Sequence, residues 1–466
     1  MWSSKYLTII FNKSLSSATV PSSWKLAKVL PLFKSGDRQC LSNYRPISLT
    51  SQSCKMLEHF IHKHIMLFLE SNNLLSNFQH GFRRGFSTVT QLTEFAHDIL
   101  HNLDVSNQVD AIFIDFSKAF DTVLHSKLLA KLNAILNNPH LVDWISSFLS
   151  SRSQFVSYNS SHSTAVDVTS GVPQGSVLGP LLFLIYINDL PHNISSNIRL
   201  YADDCVLYEV INGPNDHRHL QESFAMFCSW CSTWQMRINF DKTVLMSFCN
   251  KSSVSHFSYS FNGRVVDRVS QYKYLGVIFT HNMSWSKHTD YVCSKALKKL
   301  GYLRRTLPNS PKDTKLLLYK SLIRPVLDYA AVVWNPYKQF EINMLEAVQK
   351  KAVRFICHRY DRDFSTSSTL LSLNLTTLSV RRHTESLKFL HCVVNSSVRL
   401  SSNHYINFAP LSSTRSHHEL NLIPYFAHAN LFKFSFFPRS IEAWNSLPGS
   451  IRSCPFQNFV TAIEDA

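Results

Sequence analysis

Two adjacent aspartates between two apolar runs constrain this chain more than any other feature. Residues 198–201 and 205–208 have the composition of two strands, and Asp203 and Asp204 occupy the short turn between them. An ionised carboxylate leaves water only if it is paired or binds a cation. Aspartate is also a common residue in hairpin turns. The motif alone therefore leaves two interpretations open, a site for chemistry or an ordinary hairpin tip.

A second apolar run favours the first interpretation. Residues 111–114 have the pattern of a strand that ends in another carboxylate, Asp115. Two strands that carry aspartate to the same end of one sheet can bring three carboxylates together. These carboxylates repel one another, which raises their pKa values unless a cation lies between them. Oxygen ligands without nearby histidine or cysteine suit Mg²⁺ or Mn²⁺.

Two such ions support nucleotidyl or phosphoryl transfer, because they can activate a 3′-hydroxyl and stabilise a leaving pyrophosphate. Phosphoryl transfer needs mainly positioning and charge neutralisation. Lys34, Arg45 and Lys242 are the basic residues that we expect to contact phosphate groups. The residues alone thus predict two-metal transfer and leave the substrate open.

The charge of the chain indicates a polyanionic partner. The chain has 47 Lys and Arg against 31 Asp and Glu, which gives a net charge of +16 and a pI of about 9.4. Nucleic acid and an anionic membrane face both fit such a surplus. The longest dense apolar run, residues 181–187, is far shorter than the ~20 residues that span a bilayer. Because the N-terminus also lacks a signal-peptide pattern, we expect an intracellular protein without a transmembrane segment.

Two loops are candidates for ligand contact. Residues 79–88 place Arg83 and Arg84 between glycines, which fits either a solvated turn or a flexible basic lip that contacts phosphates. The net charge of the chain favours the lip. Residues 170–180 hold three of the eleven glycines, which allows the backbone to approach a ligand closely. An apolar helix over 181–190 follows, and we expect its N-terminus to favour an anion.

Seven segments, in this order and at these spacings, resemble the motifs of reverse transcriptases, in particular those of non-LTR (LINE-type) retrotransposons. The resemblance covers about residues 20–360. The segments are NYRPISL at 43–49, HGFR at 80–83, FIDFSKAFD at 113–121, SGVPQGSVLGP at 170–180, YADD at 201–204, YLGV at 274–277 and RPVLDYA at 324–330.

This resemblance implies an α+β fold, the right-hand polymerase with fingers, a palm of antiparallel sheet plus helices, and a mainly helical thumb and C-terminal region. The implied domains are an N-terminal helix remnant at 1–20, a reverse transcriptase domain at 21–280 (fingers 21–108, palm with a fingers insert 109–280), a helical thumb at 281–360 and a C-terminal region of unclear fold at 361–466.

The resemblance also implies roles for the acidic residues. Asp115 and Asp203 correspond to the ligands of two Mg²⁺ or Mn²⁺ ions, Asp204 completes the cluster, and Phe116 lends a backbone carbonyl. Lys242 matches the lysine that acts as general acid toward pyrophosphate.

Further residues match the positions that hold the nucleotide and the primer. Phe120 corresponds to the steric gate that rejects a ribose 2′-hydroxyl, and Arg45 to the fingers arginine on the triphosphate, with Lys34 as a second contact. Gln174 and Gly175 match the loop against the incoming nucleotide and the template. The segment that grips the primer end corresponds to Tyr274, Leu275 and Gly276. The basic helices after residue 280 would follow an RNA–DNA hybrid by shape and phosphate contact.

The implied function is that of an RNA-directed DNA polymerase, which extends a DNA primer 3′-hydroxyl with dNTPs on an RNA template. Two alternatives stay open. One is a catalytically inactive, nucleic-acid-binding remnant of a retrotransposon; the other is an RNA-templated RNA polymerase, which would not need the bulky Phe120. Residues 86–92 depart from the family pattern, as in a drifted copy.

Such elements usually carry an endonuclease ahead of the polymerase. We expect this chain to lack one, so that a separate endonuclease supplies the nick. We also expect the chain to act in the nucleus, and its oligomeric state stays open.

Overall fold

The computed structural model describes residues 2–34, 36–251, 254–400, 402–410 and 418–465. The strands are Leu26–Phe33 (β1), Tyr44–Leu49 (β2), Gln108–Ile114 (β3), Arg152–Tyr158 (β4), Ser161–His162 (β5), Val166–Val168 (β6), Asn197–Tyr201 (β7), Asp204–Ile211 (β8), Val244–Phe248 (β9), Ser260–Phe261 (β10), Arg264–Val265 (β11), Asp267–Arg268 (β12), Gln271–Tyr274 (β13) and Val277–Thr280 (β14).

The helices alternate with these strands in the first 280 residues and dominate afterwards. They are Trp2–Ser16 (α1), Gln52–Ser71 (α2), Thr88–Asp104 (α3), His125–Leu136 (α4), Pro139–Leu149 (α5), Leu178–Ile187 (α6), Pro214–Trp234 (α7), Ser286–Thr306 (α8), Lys312–Leu318 (α9), Arg324–Asp328 (α10), Ala331–Trp334 (α11), Gln339–Cys357 (α12), Thr366–Ser372 (α13), Leu378–Val394 (α14), Ser402–Tyr405 (α15), Asn430–Lys433 (α16), Phe436–Ser446 (α17), Gly449–Arg452 (α18) and Phe456–Asp465 (α19).

The central sheet has five strands in the order β12-β9-β3-β8-β7. The pairs β9–β3, β3–β8 and β8–β7 are antiparallel, and β12 runs parallel to β9. All seven residues of β3 are buried, which explains why its second half, residues 111–114, is a continuous apolar run rather than an alternating one. The α+β fold predicted from the sequence is therefore confirmed.

Each face of the central sheet has its own helical layer. Val109, Ala111 and Phe113 of β3 pack into the core that contains α3, whereas Ile112 and Ile114 pack into the core that contains α6 and α7. Because side chains alternate across a strand, the two cores are separated by the sheet. The sheet is thus held on both faces, and its edge remains available for polar residues.

The second sheet combines segments that are distant in the sequence. β1 pairs antiparallel with β2 and parallel with β4, and β4 also pairs with β5 and β6. The strand β4 lies within residues 109–280, the range that we predicted as the palm with a fingers insert. This sheet carries Lys34 just after β1 and Arg45 within β2.

Helix α3 begins at Thr88, where Ser87 and Thr90 form a reciprocal cap. The Thr90 N–H donates to Ser87 Oγ (3.1 Å), and the Ser87 N–H donates to Thr90 Oγ1 (2.9 Å). Such a capping box satisfies two donors at a helix start.

The C-terminal region, which was predicted as a region of unclear fold, packs on the outer side of α3. His97 of α3 lies among four aromatic rings, with centroid distances of 5.3 Å to Tyr405, 5.1 Å to Tyr425, 5.5 Å to Phe432 and 4.9 Å to Phe437. The Asp104 carboxylate at the end of α3 accepts hydrogen bonds from the N–H groups of residues 428 and 429. Helix α3 therefore lies between the central sheet and the C-terminal helices.

This packing predicts acid sensitivity. Burial, followed by the charges of His101 and His404, lowers the pKa of His97 to about 3. The unfolded chain binds this proton below about pH 6.5 and the folded chain does not, so stability is complete above pH 6.5 and falls as the pH drops toward 3. Between pH 6 and 4, the unfolding free energy of the unchanged chain should fall with decreasing pH, and we expect His97→Leu to make this fall smaller by about 1.4 kcal/mol per pH unit. Denaturant unfolding at several pH values in this range measures the difference.

The control for this prediction is His59→Leu, because His59 lies on the exposed face of α2. An equal acid dependence of the unfolding free energy in His97→Leu and in the unchanged chain would contradict the prediction.

Across the described residues, none of the helices has the length and apolarity that a membrane crossing requires.

Candidate active site

Antiparallel pairing brings the predicted acidic residues to one edge of the central sheet. Ile114 lies opposite Cys205 in the β3–β8 register, so the next pair outward is Asp115 and Asp204. Directly opposed residues in such a ladder have Cα atoms about 4.5–5.5 Å apart. The turn from β7 to β8 adds Asp203 beside them. The three carboxylates predicted from two distant segments therefore share one edge.

The electrostatics of this edge follow from burial and mutual repulsion. Desolvation and the charge of Asp115 raise the pKa of Asp203, while Arg45 and Lys34 act in the opposite direction. Desolvation, then the charges of Asp203 and Asp115, raise the pKa of Asp204 to about 6. Solvent still reaches Asp204 on its exposed side.

A divalent cation fits the chemistry of this donor set. The three groups are hard oxygen ligands, and a cation between them would relieve the repulsion that raises their pKa values. Within the described parts of the chain, no three His, Cys, Asp or Glu side chains are arranged to enclose a metal ion by themselves. An ion at this edge would therefore need further oxygen ligands from backbone or substrate.

The backbone of Phe116 is oriented to be one such ligand. Ser117 N–H donates to Arg237 O (2.7 Å), and Asn239 N–H donates to Asp115 O (2.8 Å). These two hydrogen bonds lie on either side of an antiparallel bridge between Phe116 and Ile238. In this type of bridge, the carbonyl of the central residue points to the opposite side. For Phe116 that side is the one occupied by β8.

The turn that carries Lys242 is joined to the same edge. Thr243 accepts a hydrogen bond from the Asp115 N–H at Oγ1 (3.3 Å), and its own N–H and hydroxyl donate to Asn239 O (both 2.9 Å). The Lys242 side chain is exposed. The structure thus places the lysine in a turn fastened to Asp115, with its side chain free to reach a ligand from solvent.

Lys34 and Arg45 approach the carboxylates from the second sheet. Both side chains are exposed, and both lower the pKa of Asp203 and of Asp204. Arg45 lies opposite Leu32 in the β1–β2 pair. Two exposed cations therefore lie close enough to the acidic edge to act on its carboxylates.

The glycine-rich loop is packed against the second sheet by close backbone contacts. Ser48 N–H donates to Gln174 O (2.8 Å), and the Gln174 side chain donates through Nε2 to Asp121 Oδ1 (2.9 Å). A Cβ on Gly175 would lie 2.4 Å from Ser48 O, and φ at this glycine is +121°. The loop is therefore held in one position, between the second sheet and the turn after β3.

We expect Gly175→Ala to displace this loop, because the added methyl overlaps a backbone oxygen that has no room to move. Gly263→Ala is the matched control: Gly263 also has a positive φ (+77°), but a Cβ there meets no atom within 4 Å. The Gly175 variant should lose about 1–3 kcal/mol more unfolding free energy than the control, in denaturant titrations. Equal losses would show that the contact with Ser48 is unimportant.

Phe120 is fixed by aromatic neighbours. Its ring stacks on Phe183 of α6 with a centroid distance of 4.5 Å and meets Phe82 edge-on at 6.3 Å. It lies in a short helical turn, five residues after Asp115. A half-buried ring that is packed in this way presents a rigid edge rather than a mobile one.

The predicted primer segment has two different parts. The Tyr274 side chain is buried in the core below the sheet and accepts a hydrogen bond from Gln91 Nε2. Leu275 and Gly276 form the turn between β13 and β14, with φ of +44° and +87°. Tyr329 donates from its hydroxyl to Leu275 O (2.8 Å). Contact with a ligand can thus come from the turn, and not from the tyrosine ring.

Two predictions about anion contacts were wrong. Arg83 is buried, and its guanidinium donates to the Glu70 carboxylate (2.9 Å) and to Ser76 O (2.6 Å), so it is no part of a flexible lip. Helix α6 begins at Leu178, and its first N–H groups donate to the buried Glu58 carboxylate (2.7 and 3.0 Å). The anion at that helix start is therefore a side chain of the protein.

Sequence reasoning missed two tyrosines beside the carboxylates. Desolvation, then the charges of Asp204 and Asp115, raise the pKa of Tyr272 to about 12, and its ring packs on Phe113 at 4.6 Å. Burial and the charges of Tyr329 and Asp204 raise the pKa of Tyr201. The sequence signal that could have found Tyr272 is the alternation of side chains along a strand. Tyr272 precedes Tyr274 by two residues on β13, so both side chains lie on the same face.

An acidic sheet edge with basic residues beside it is typical of proteins that join nucleotides, the nucleic-acid polymerases. Comparison with family models narrows this class. The model described as "Reverse transcriptase (RNA-dependent DNA polymerase)" matches residues 33–279, more than half of the chain. The chain therefore belongs to the reverse transcriptase family, and every predicted site residue lies inside the matched range.

Curated relatives come from transposable elements. The chain is 31% identical over 395 residues to the "Probable RNA-directed DNA polymerase from transposon BS" of Drosophila melanogaster, an alignment of 81% of this chain and 43% of the relative. It is 29% identical over 365 residues to the "RNA-directed DNA polymerase from mobile element jockey" of the same species, with 76% and 40% covered. The chain thus spans about two fifths of these relatives.

A solved structure of apo telomerase from Candida Tropicalis is similar to the chain at 9% sequence identity. The similarity covers 84% of this chain and 66% of the telomerase chain, with a TM-score of 0.46.

Proposed function

We propose that this chain is an RNA-directed DNA polymerase that extends a primer 3′-hydroxyl with dNTPs on an RNA template. The observation that carries the proposal is the meeting of Asp115, Asp203 and Asp204 at one edge of the central sheet, within the range matched by the family model. The positive charge of the chain supports a nucleic-acid partner. A separate endonuclease would supply the primer end as a nick, and the chain would then act in the nucleus.

In the proposed mechanism, Asp115, Asp203 and Asp204 would hold two Mg²⁺ or Mn²⁺ ions, and the Phe116 carbonyl would be a further ligand. Ions bound there would lower the pKa of the primer hydroxyl and neutralise charge on the triphosphate. The aspartates must be ionised for this purpose, so protonation of Asp204 near its pKa of about 6 competes with ion binding.

The remaining residues orient the substrates. Arg45 and Lys34, whose charges act on the Asp203 carboxylate, would bind the triphosphate oxygens. Lys242, in the turn fastened to Asp115, would donate a proton to the departing pyrophosphate. The loop at Gln174 and Gly175 would lie against the nucleotide and the template.

The turn Leu275–Gly276 and the basic faces of the helices after it would hold the primer strand and the hybrid. The hybrid is recognised there by its shape and its phosphates, without base contacts.

Incorporation of dTTP on poly(rA)·oligo(dT) by the purified chain, with Mg²⁺ or Mn²⁺, tests the proposal. We expect extended primers and no extension when divalent ions are chelated. A folded chain that binds the duplex and adds no nucleotide would establish the catalytically inactive alternative.

Phe120→Ala tests the choice of sugar. Removing a ring that is fixed against Phe183 opens space beside the site, so we expect the preference for dTTP over UTP to fall by about a hundredfold in single-nucleotide addition. Addition of dTTP should continue, which serves as the internal control. An unchanged preference would show that another residue reads the 2′ position.

A further inference from the structure

Residues 78–83, here named the bracket, pair with the outer edge of β7. His80 N–H donates to Leu200 O (2.8 Å), Leu200 N–H donates to Phe78 O (2.9 Å), and Gln79 lies parallel to Leu200. The bracket thus continues the central sheet beyond its last strand, immediately before the turn that carries Asp203.

The side chain of Gln79 is directed at that turn. It is only 2% exposed, and its Oε1 accepts hydrogen bonds from the N–H groups of Ala202 (2.9 Å) and Gly81 (2.8 Å). Among the described residues its Nε2 has no hydrogen-bond partner. Gln79 is therefore held through its oxygen alone, and one of the two bonds ends on the residue before Asp203.

Ala202 needs such a contact for two reasons. Its φ is +54°, a left-handed conformation that costs free energy for a residue with a Cβ. Ala202 is also buried, and a buried N–H without an acceptor is costly. The oxygen of Gln79 satisfies this N–H and fixes the backbone that leads into Asp203.

The bracket itself is rigid. A Cβ on Gly81 would lie 2.5 Å from Ala202 N, so the two backbones touch directly. Arg83 fixes the position of the bracket through its guanidinium, which donates to the Glu70 carboxylate. It also donates to Ser76 O (2.6 Å) and to Gln79 O (3.3 Å). Glu70 is paired in turn with Arg399 from the C-terminal region.

We propose that Gln79 is a positioning residue for Asp203: by holding the Ala202 N–H, it keeps the Asp203 carboxylate at the sheet edge in the geometry that binds a divalent ion. This inference rests on the proposed function for its effect on catalysis, but not for its effect on the turn. It assigns the bracket to the organisation of the site, although the arginines of the overlapping loop, residues 79–88, suggested phosphate contact.

The test replaces the amide by an apolar side chain of similar length, Gln79→Met. The control is Gln349→Met, because Gln349 is also a buried glutamine (1% exposed) whose Oε1 accepts a hydrogen bond, from Tyr319, and it lies in α12. Thermal unfolding of both variants establishes that they are folded. Three quantities are then measured: hydrogen exchange of the Ala202 amide, the affinity for Mn²⁺ without substrate, and the rate of primer extension.

We expect Gln79→Met to exchange the Ala202 amide at least about tenfold faster, to weaken Mn²⁺ binding by about tenfold, and to lower kcat by about tenfold, the factor that corresponds to one buried hydrogen bond. The control should leave all three unchanged. Gly81→Ala, which pushes on Ala202 directly, should reproduce the pattern if the Met variant does not fold.

Two outcomes overturn the inference. One is unchanged exchange at Ala202 in a folded Gln79→Met chain; the other is fast exchange with Mn²⁺ affinity and kcat at the values of the control. Failure of the proposed function looks different: the unchanged chain then extends no primer, while the exchange and Mn²⁺ measurements still decide the role of Gln79.

Discussion

Asp203→Asn is expected to abolish primer extension, with a loss of about a thousandfold or more in kcat and little change in duplex binding. The substitution keeps the size of the side chain and removes one anionic ligand from the acidic edge, where Asp115 and Asp204 are its neighbours. Groups that stabilise transition-state charge have effects of this size. Single-turnover addition of dTTP measures the loss, and filter binding measures the duplex affinity.

Asp267→Asn is the matched control, because Asp267 is an exposed aspartate in β12 at the far side of the same sheet. It should extend primers at the rate of the unchanged chain. Substantial activity in Asp203→Asn would mean that the carboxylates at this edge are not the catalytic ones.

Arg199→Met is expected to cause the largest loss of stability, about 3–5 kcal/mol of unfolding free energy. Only 13% of the Arg199 side chain of β7 is exposed, and its guanidinium pairs with Glu94 (3.4 Å) and Asp98 (3.2 Å) of α3 and donates to the Tyr405 hydroxyl (2.9 Å). Removing the cation leaves buried carboxylates without their guanidinium, which costs far more than loss of a surface pair. Denaturant unfolding measures the difference.

Arg359→Met is the control for this experiment. Arg359 pairs with Asp361 at 2.8 Å, but both side chains are exposed to solvent. We expect no measurable change in its unfolding transition. A loss in Arg199→Met no larger than in this control would show that the network around α3 contributes little to the fold.

The sheet and its acidic edge could be predicted because their signals are local. The apolar run before Asp115 and the hairpin around Asp203 can each be recognised from their own residues. The side-chain patterns of the two strands then indicate which of their ends meet. Lys34 and Arg45 were predicted as phosphate contacts, first from their charge and then from the resemblance, but β2 reaches the site only through its pairing with β1.

The failed predictions all concern partners that are distant in the sequence. Arg83 looked like a solvent-facing cation because its partner, Glu70, lies in the preceding helix. The start of α6 looked like an anion site, and its anion is Glu58, 119 positions before Val177. Sequence patterns give the charge of a residue, but the pairing of buried charges depends on tertiary packing.

The C-terminal region was unpredictable for a related reason. Its short helices have weak patterns of their own, and they gain order by packing aromatic rings around His97 of α3, more than 300 residues away. Because α3 is covered on both sides, its sequence indicates only that the helix is buried. It does not indicate which element of the chain covers it.

The most direct test of the central claim is the number of Mn²⁺ ions bound by the chain with dTTP and a chain-terminated primer on poly(rA), counted by electron paramagnetic resonance. We expect two ions per molecule for the unchanged chain and a loss of bound Mn²⁺ in both Asp115→Asn and Asp203→Asn. Equal Mn²⁺ binding in the unchanged chain and the two variants would contradict the account.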